Sequence, residues 1–245
     1  MRLFIHKIVY LFKITKVKYA VISGDIVSST SLAQDDKKLL ERELTLMVGE
    51  LTNIFGIYGR VIKGDYLECV VPNPAQALQV CLAIKSFVKG IDISISDYTL
   101  EKKRAKLFKE YGIRLAIGYG ELDRFDAKKG VIDGEAIYLS GRMISGSSTH
   151  DKERIVVKNT LYFTSKETDL NKQWEAILAL LDVLFAKATS RQSEVVYLKL
   201  LGNDEDTISK MLGIDQSVVN RHSTSVGWNA IENIIEYYND IFSKR

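Results

Sequence analysis

Gly24-Asp25-Ile26-Val27-Ser28-Ser29-Thr30 and, further on, Lys63-Gly64-Asp65 decide how this chain is read. Each aspartate stands where an apolar run meets a turn. Asp25 follows Tyr19-Ala20-Val21-Ile22, and a first strand is expected over 18–23. Asp65 lies between two β-rich runs, 58–62 and 66–71, so Lys63-Gly64-Asp65 reads as the tight turn of a hairpin. Between strand and hairpin, Leu39, Leu40, Leu44, Met47, Leu51 and Ile54 recur at helical spacing. Ser31-Leu32-Ala33-Gln34 has the form of a capping box that opens this helix, and Gly56 closes it. A right-handed crossover sets the first two strands parallel in one sheet. A third strand slotted between them runs antiparallel to the first, which brings Asp65 beside Asp25. Two adjacent carboxylates with backbone carbonyls nearby suit Mg²⁺ or Mn²⁺, hard cations that take oxygen ligands. The same spacing also fits an Asp25 that caps a turn and an Asp65 that belongs to the hairpin.

Outward from this stretch, Pro72 and Pro74 bracket Asn73, a strand stop followed by a helix start. A core helix is expected over 75–88, with Ala77, Leu78, Cys81, Ile84 and Val88 inward. The segment 100–111 reads as a basic amphipathic helix, Lys102, Lys103, Arg104, Lys106 and Lys109 against Glu101 and Glu110; it suits a solvated face or contact with phosphate. A strand at 113–120 precedes a loop carrying Asp123, Asp126 and Lys128-Lys129-Gly130. A helix is expected at 134–143, with Ile137, Leu139 and Met143 buried, and a short strand at 154–157. Polar residues around 168–170 mark a boundary, giving domains 1–168 and 169–245. The second is helical, over 174–185, 193–201, 205–212 and 216–242.

Composition sets the frame. The chain has 245 residues, a formal net charge of +3 and 46% hydrophobic residues, a globular balance that names no partner by charge. Cys69 and Cys81 form no CxxC and imply no disulfide framework, which fits a reducing cytoplasm. The first 18 residues carry Arg2, Lys7, Lys13, Lys16 and Lys18 without an acid, and their longest uncharged run is too short for a transmembrane span.

Four pieces in order resemble the class III nucleotidyl cyclases. The Gly24–Thr30 run is similar to their metal segment, and Lys63-Gly64-Asp65 to their Gly-Asp hairpin. Ile113-Arg114-Leu115-Ala116-Ile117-Gly118-Tyr119-Gly120 resembles a strand of the same pattern. Gly134-Glu135-Ala136-Ile137-Tyr138-Leu139-Ser140-Gly141-Arg142-Met143 resembles the helix that follows it. With its helical tail, the chain as a whole resembles the SatD family. The resemblance implies an α/β (α+β) fold: a ferredoxin-like antiparallel βαββαβ domain, forming a head-to-tail homodimer with sites at the interface, followed by a small all-α helix-turn-helix domain. It implies metal ligation by Asp25 and Asp65, and contact of Ile26, Ser28, Ser29, Thr30 and Lys63 with a nucleoside triphosphate or other nucleotide. Arg142 matches a transition-state arginine that reaches in from the partner subunit. Tyr138 stands where the family has an asparagine that orients the ribose, and Val61 and Val131 stand where the purine edge is read. Phosphate binding is therefore better supported than cyclisation.

The run 202–222 resembles a helix-turn-helix of the sigma-factor region 4 or LuxR type. Ile208, Leu212, Ile214 and Val218 form its expected small core, and Gly213 its turn. Gln216, Ser217, Asn220, Arg221 and Thr224 are its expected DNA-facing side chains, types that read base edges or phosphates. Between 190 and 245, however, eight acids face six basic residues, a net −2 that weakens any attraction to phosphate. Three functions follow as expectations: a transcriptional regulator with a degenerate nucleotide- and metal-binding domain; an active cyclase or related phosphotransferase; and an inactive scaffold that docks another protein.

Overall fold

A computed structural model describes residues 17–94, 102–147, 157 and 159–245. The basic stretch at 1–16 and most of the strand expected at 154–157 lie outside these residues. Val157 is described, and it is not in a strand.

The chain is a mixed α/β protein built on a five-stranded sheet of order β2-β3-β1-β4-β7. Strand β1 (Lys18–Ile26) leads through helix α1 (Gln34–Phe55) to the hairpin β2 (Tyr58–Ile62) and β3 (Tyr66–Val71). Helix α2 (Ala77–Gly90) and α3 (Lys102–Tyr111) then lead to β4 (Ile113–Glu121). Strand β1 pairs antiparallel with both β3 and β4, so β1-α1-β2-β3-α2-β4 is a pair of interleaved split βαβ units, with β3 slotted between β1 and β2 as expected.

Alternation along the strands divides the core. Ala20, Ile22, Cys69, Val71, Ile117 and Tyr119 join one large apolar cluster with α1, α2 and the C-terminal helices. Val21 and Val70 face the other side, where they meet Ala136 of helix α4 (Glu135–Gly146). That approach is close. A Cβ on Gly118 would lie 2.1 Å from the carbonyl oxygen of Ala136, so only glycine fits β4 at this point. Close approach also explains which face of α4 is buried. Ala136, Ser140 and Ile144 turn inward, one position off the expected Ile137, Leu139 and Met143, because small residues let the helix sit against the strands.

Four further elements differ from expectation. The Ser31–Gln34 capping box does not form: Ser29–Ser31 is a short 3₁₀ turn, and Ala33 precedes α1 without a side-chain cap. The 123–130 loop is a second hairpin, β5 (Arg124–Asp126) and β6 (Val131–Asp133), whose turn is held by Lys128 and Lys129 amides donating to the Asp126 carboxylate. Strand β7 (Leu161–Thr164), unforeseen, adds parallel to β4. The last expected helix is two, α8 (Gln216–Val226) and α9 (Trp228–Phe242), broken at Gly227, whose φ of 81° belongs to no right-handed helix.

The tail, α5 (Thr168–Lys187), α6 (Ser190–Leu200), α7 (Glu205–Leu212), α8 and α9, shares the large cluster with the sheet. Trp174, Tyr238 and Phe242 pack on Phe163 of β7. A buried polar knot fixes α5 further. Lys85 on α2 donates to the Tyr111 and Ile113 carbonyls at 2.7 and 2.8 Å and to the Thr160 hydroxyl, and it faces Asp182 of α5 at 3.6 Å. Asp182 in turn accepts from the Thr160 amide and hydroxyl. Among the described residues, no helix is long and apolar enough to cross a membrane.

Candidate functional site

The β1–α1 connection and the β2–β3 turn meet at one end of the sheet. Asp25 lies opposite Tyr66 in the strand pairing, and the Ile26 amide donates to the Asp65 carbonyl at 2.9 Å, so the two aspartates are neighbours. Lys63 and Gly64 both adopt positive φ, 54° and 80°, which turns the hairpin sharply enough to deliver Asp65 there. The Ser29 hydroxyl donates to Asp65 Oδ2 at 2.7 Å.

Ser29, Thr30, Gln34, Lys37, Lys38, Leu40, Glu41, Lys63, Gly64 and Asp65 line a cleft of about 310 Å³. Of the residues assigned to nucleotide, Ser29, Thr30 and Lys63 thus line one cavity with Asp65. Ile26 does not contribute: its side chain is in the core, and its amide is spent on Asp65. The Val27 amide is spent on the Gly112 carbonyl. Ser28 holds a left-handed conformation, φ 57°, as the residue before the 3₁₀ turn. Lys37 and Lys38 were not foreseen. Their signal was position: one turn into α1, on the side that the hairpin turn overhangs.

Asp25 has a partner that the sequence reading missed. Arg114, directly opposite it on β4, donates from Nε to Oδ1 at 2.9 Å and from Nη2 to Oδ2. Its third nitrogen, Nη1, donates to the Ser147 carbonyl at 2.5 Å. The guanidinium is 4% exposed and the carboxylate 16%. Tyr66 and Tyr162 stand close enough to feel the Asp25 charge; burial raises both phenols above their ordinary value, so both stay protonated.

A centre built on two aspartates needs oxygens from both. Each oxygen of Asp25 already accepts from Arg114, whose positive charge would lie beside any ion bound there. As these side chains stand, they do not fit a two-metal Mg²⁺ or Mn²⁺ centre.

Arg142 is exposed on α4, one turn beyond Tyr138. The Tyr138 phenol is also exposed and donates to Asp133 of β6; that bond, with the Asp133 charge, raises the phenol. Neither residue lines the cleft.

In the tail, α7 and α8 are joined by Gly213, Ile214 and Asp215, with Gly213 in the left-handed region. Ile208 and Val219 are buried, with Leu212 and Ile214 packed on them; Val219 takes the central place expected of Val218. Gln216, Ser217, Asn220, Arg221 and Thr224 are all exposed. Two of them are engaged: Gln216 Nε2 donates to Glu205 at 2.8 Å, and Asn220 Nδ2 to the same carboxylate at 3.3 Å.

The fold and cleft therefore define an α/β protein with a lysine-lined cavity at the end of its central strands. No protein-family model matches the chain, and no curated protein matches it. Among solved structures, one described as a bacterial light-regulated adenylyl cyclase is similar over 65% of this chain and 80% of its own, at 15% identity and a TM-score of 0.42. A second of the same description is similar over 66% of this chain and 51% of its own, at 16% identity and a TM-score of 0.41.

Proposed function

We propose that the protein is a nucleotide-responsive regulator. The cleft takes the phosphates of a nucleoside triphosphate, and the α7–α8 pair carries the response to DNA. The observation that carries this reading is the convergence of Lys37, Lys38 and Lys63 with the Ser29 and Thr30 side chains around one cavity. Lysines act there as flexible point charges for phosphate oxygens, and the Thr30 hydroxyl donates to them, while the Ser29 hydroxyl is given to Asp65. The cavity is near the small end for a ligand site, a size that suits a phosphate chain and leaves a base outside. The cyclase-like order of motifs agrees with a nucleotide, whereas Val61, Val131 and Tyr138 give no support to a held purine and ribose. Cyclisation is thus the weaker reading.

Support for the DNA half is the exposure of Gln216, Ser217, Asn220, Arg221 and Thr224 on one short helix after a tight turn. A homodimer belongs to this reading, because two α8 helices on one particle offset the weak attraction of an acidic tail. The engagement of Gln216 and Asn220 by Glu205 favours a second reading, a protein-docking module.

Calorimetric titration of ATP, GTP, CTP and UTP, with analysis of products, tests the nucleotide half. Lys37→Ala with Lys63→Ala is expected to weaken binding by at least about tenfold, the loss of two phosphate contacts. Cyclic nucleotide formation that disappears in Asp65→Ala would promote the enzyme reading instead.

A further inference from the structure

We infer that this cleft takes its polyphosphate without a divalent cation, because Asp25, which neighbours the lining residue Asp65 but does not itself line the cleft, already has its charge met by Arg114. The inference rests on the nucleotide reading above and narrows it to the metal-free anion.

The first ground is how completely the guanidinium is committed. All three nitrogens of Arg114 donate, two to Asp25 and one to Ser147. Asp25 and Arg114 are direct cross-strand partners, so the pair is set by the register of β1 on β4 and not by chance meeting of two flexible side chains. A cation entering at Asp25 has either to sit beside the Arg114 guanidinium on oxygens that already accept from it, or to break a bidentate, charge-assisted pair and leave a nearly buried guanidinium facing one carbonyl. Stranding a buried charge in this way is among the costliest changes a protein interior can undergo.

The second ground is where positive charge in the cleft comes from. Helix α1 begins with Asp35 and Asp36 in its first turn, which offset the positive end of its dipole. The attraction for an anion therefore rests on Lys37, Lys38 and Lys63, set against Glu41 and Asp65. Lys37 donates to the Thr30 carbonyl at 3.2 Å, and Lys38 meets Asp35 at 3.4 Å in an exposed pair. Both contacts are weak enough for the lysines to turn onto phosphate oxygens. The lining has one more lysine than carboxylates, and Asp25 behind it is neutralised by Arg114, so the cleft attracts anions by itself. Mg²⁺ bound to a triphosphate removes two of the negative charges those lysines would meet.

The ligand class is a linear polyphosphate chain, free or as the tail of a nucleotide. Tripolyphosphate, ATP and GTP, each titrated into the full-length protein in excess EDTA and in excess Mg²⁺, test the inference and separate these sources. Affinity in EDTA is expected to match or exceed that in Mg²⁺; tightening by Mg²⁺ beyond about threefold overturns the inference. Binding under neither condition removes the nucleotide reading along with it. Comparable affinity for tripolyphosphate and ATP assigns recognition to the phosphates, and much tighter ATP binding adds the nucleoside.

Arg114 acts here as a positioning residue, and Arg114→Gln reports on it by a readout that a purely structural role would not move. With Asp25 released, Mg²⁺ is expected to tighten binding in this variant and not in the parent. An unchanged Mg²⁺ response in a folded Arg114→Gln overturns the assignment. Should Arg114→Gln fail to fold, Lys37→Ala with Lys63→Ala, both outside the core, still decides: binding of tripolyphosphate in EDTA has to fall by about tenfold. If it does not, the lysine cleft is not the anion site.

Discussion

An arginine inside a strand of buried residues has to be neutralised where it stands, and Arg114 is neutralised by the carboxylate directly across β1. That requirement was visible in Ile-Arg-Leu-Ala-Ile, since a charge in an apolar run needs a partner. What sequence could not give was the register that makes Asp25 the partner, because register depends on how the hairpin and crossover close. The placing of Asp65 beside Asp25 was legible for the opposite reason: it follows from strand order alone. The pairing makes a sharp prediction. An aspartate held for metal binding is usually replaced by asparagine at little cost to stability. Asp25→Asn should instead lower unfolding stability by about 3 kcal/mol, since it leaves the Arg114 charge buried with half its partner. Urea titration measures this, and a change within about 0.5 kcal/mol, the range of an ordinary surface substitution, would show that the pair is not structural.

At the scale of elements, the joint between α2, β4 and α5 is polar, and Lys85 is its centre. The helix Ala-Leu-Gln-Val-Cys-Leu-Ala-Ile-Lys-Ser-Phe-Val carries a lysine in the middle of its buried length, a signal of the same kind as Arg114. Its partners were harder to read: Thr160 stands just before β7, a four-residue strand whose parallel pairing with β4 has no local signature, and Asp182 lies in the helix expected over 174–185, where its sequence context did not mark it as buried. Lys85→Met should cost about 3–5 kcal/mol by stranding Asp182, and adding Asp182→Leu should recover most of it. The pair also carries a pH dependence. Burial, opposed by Asp182, brings the Lys85 ammonium down to about 8 from an ordinary 10.5. Between those values the unfolded chain holds a proton that the folded chain has lost, so stability from this group rises with pH across that window. Cys69 and Cys81, pushed up to about 12 by burial, act in the opposite sense above their ordinary value of 9. The stability of the parent chain relative to the Lys85→Met, Asp182→Leu variant isolates the lysine, and that difference should grow from pH 8 to 10.5. A flat difference across repeated denaturation at these pH values would mean that Lys85 keeps its proton in the folded protein through that window, so that burial does not lower it.

At the scale of the whole molecule, the cleft and the α7–α8 pair are tied through α6. Tyr197 of α6 donates to Glu50 of α1, and Gln79 of α2 donates to the Leu200 carbonyl at 2.7 Å. Helix α1 lines the cleft at Gln34, Lys37, Lys38, Leu40 and Glu41, so a packed route joins the two regions. Whether the far end reads DNA turns on Glu205. It is held ionised below its ordinary value, chiefly by the Lys199 ammonium, and it restrains Gln216 and Asn220. A carboxylate at that place both occupies two side chains expected to read bases and repels phosphate. If α8 is a reader, Glu205→Ala should therefore tighten DNA binding. Arg221→Ala should weaken the preference at one base position by about 1–3 kcal/mol. Half-sites recovered by random-sequence selection should repeat at about one helical turn, or a multiple of it, if two copies bind together. The affinity of the parent chain and of both variants should fall steeply with salt, since counterion release accompanies every phosphate contact. Selection on the parent chain and the two variants, followed by titration at two salt concentrations, tests all of this at once. If no sequence is enriched and neither substitution changes affinity, α8 is not a DNA reader. The acidic helix pair, with Glu205, Gln216 and Asn220 already joined on its surface, is then a docking face for protein.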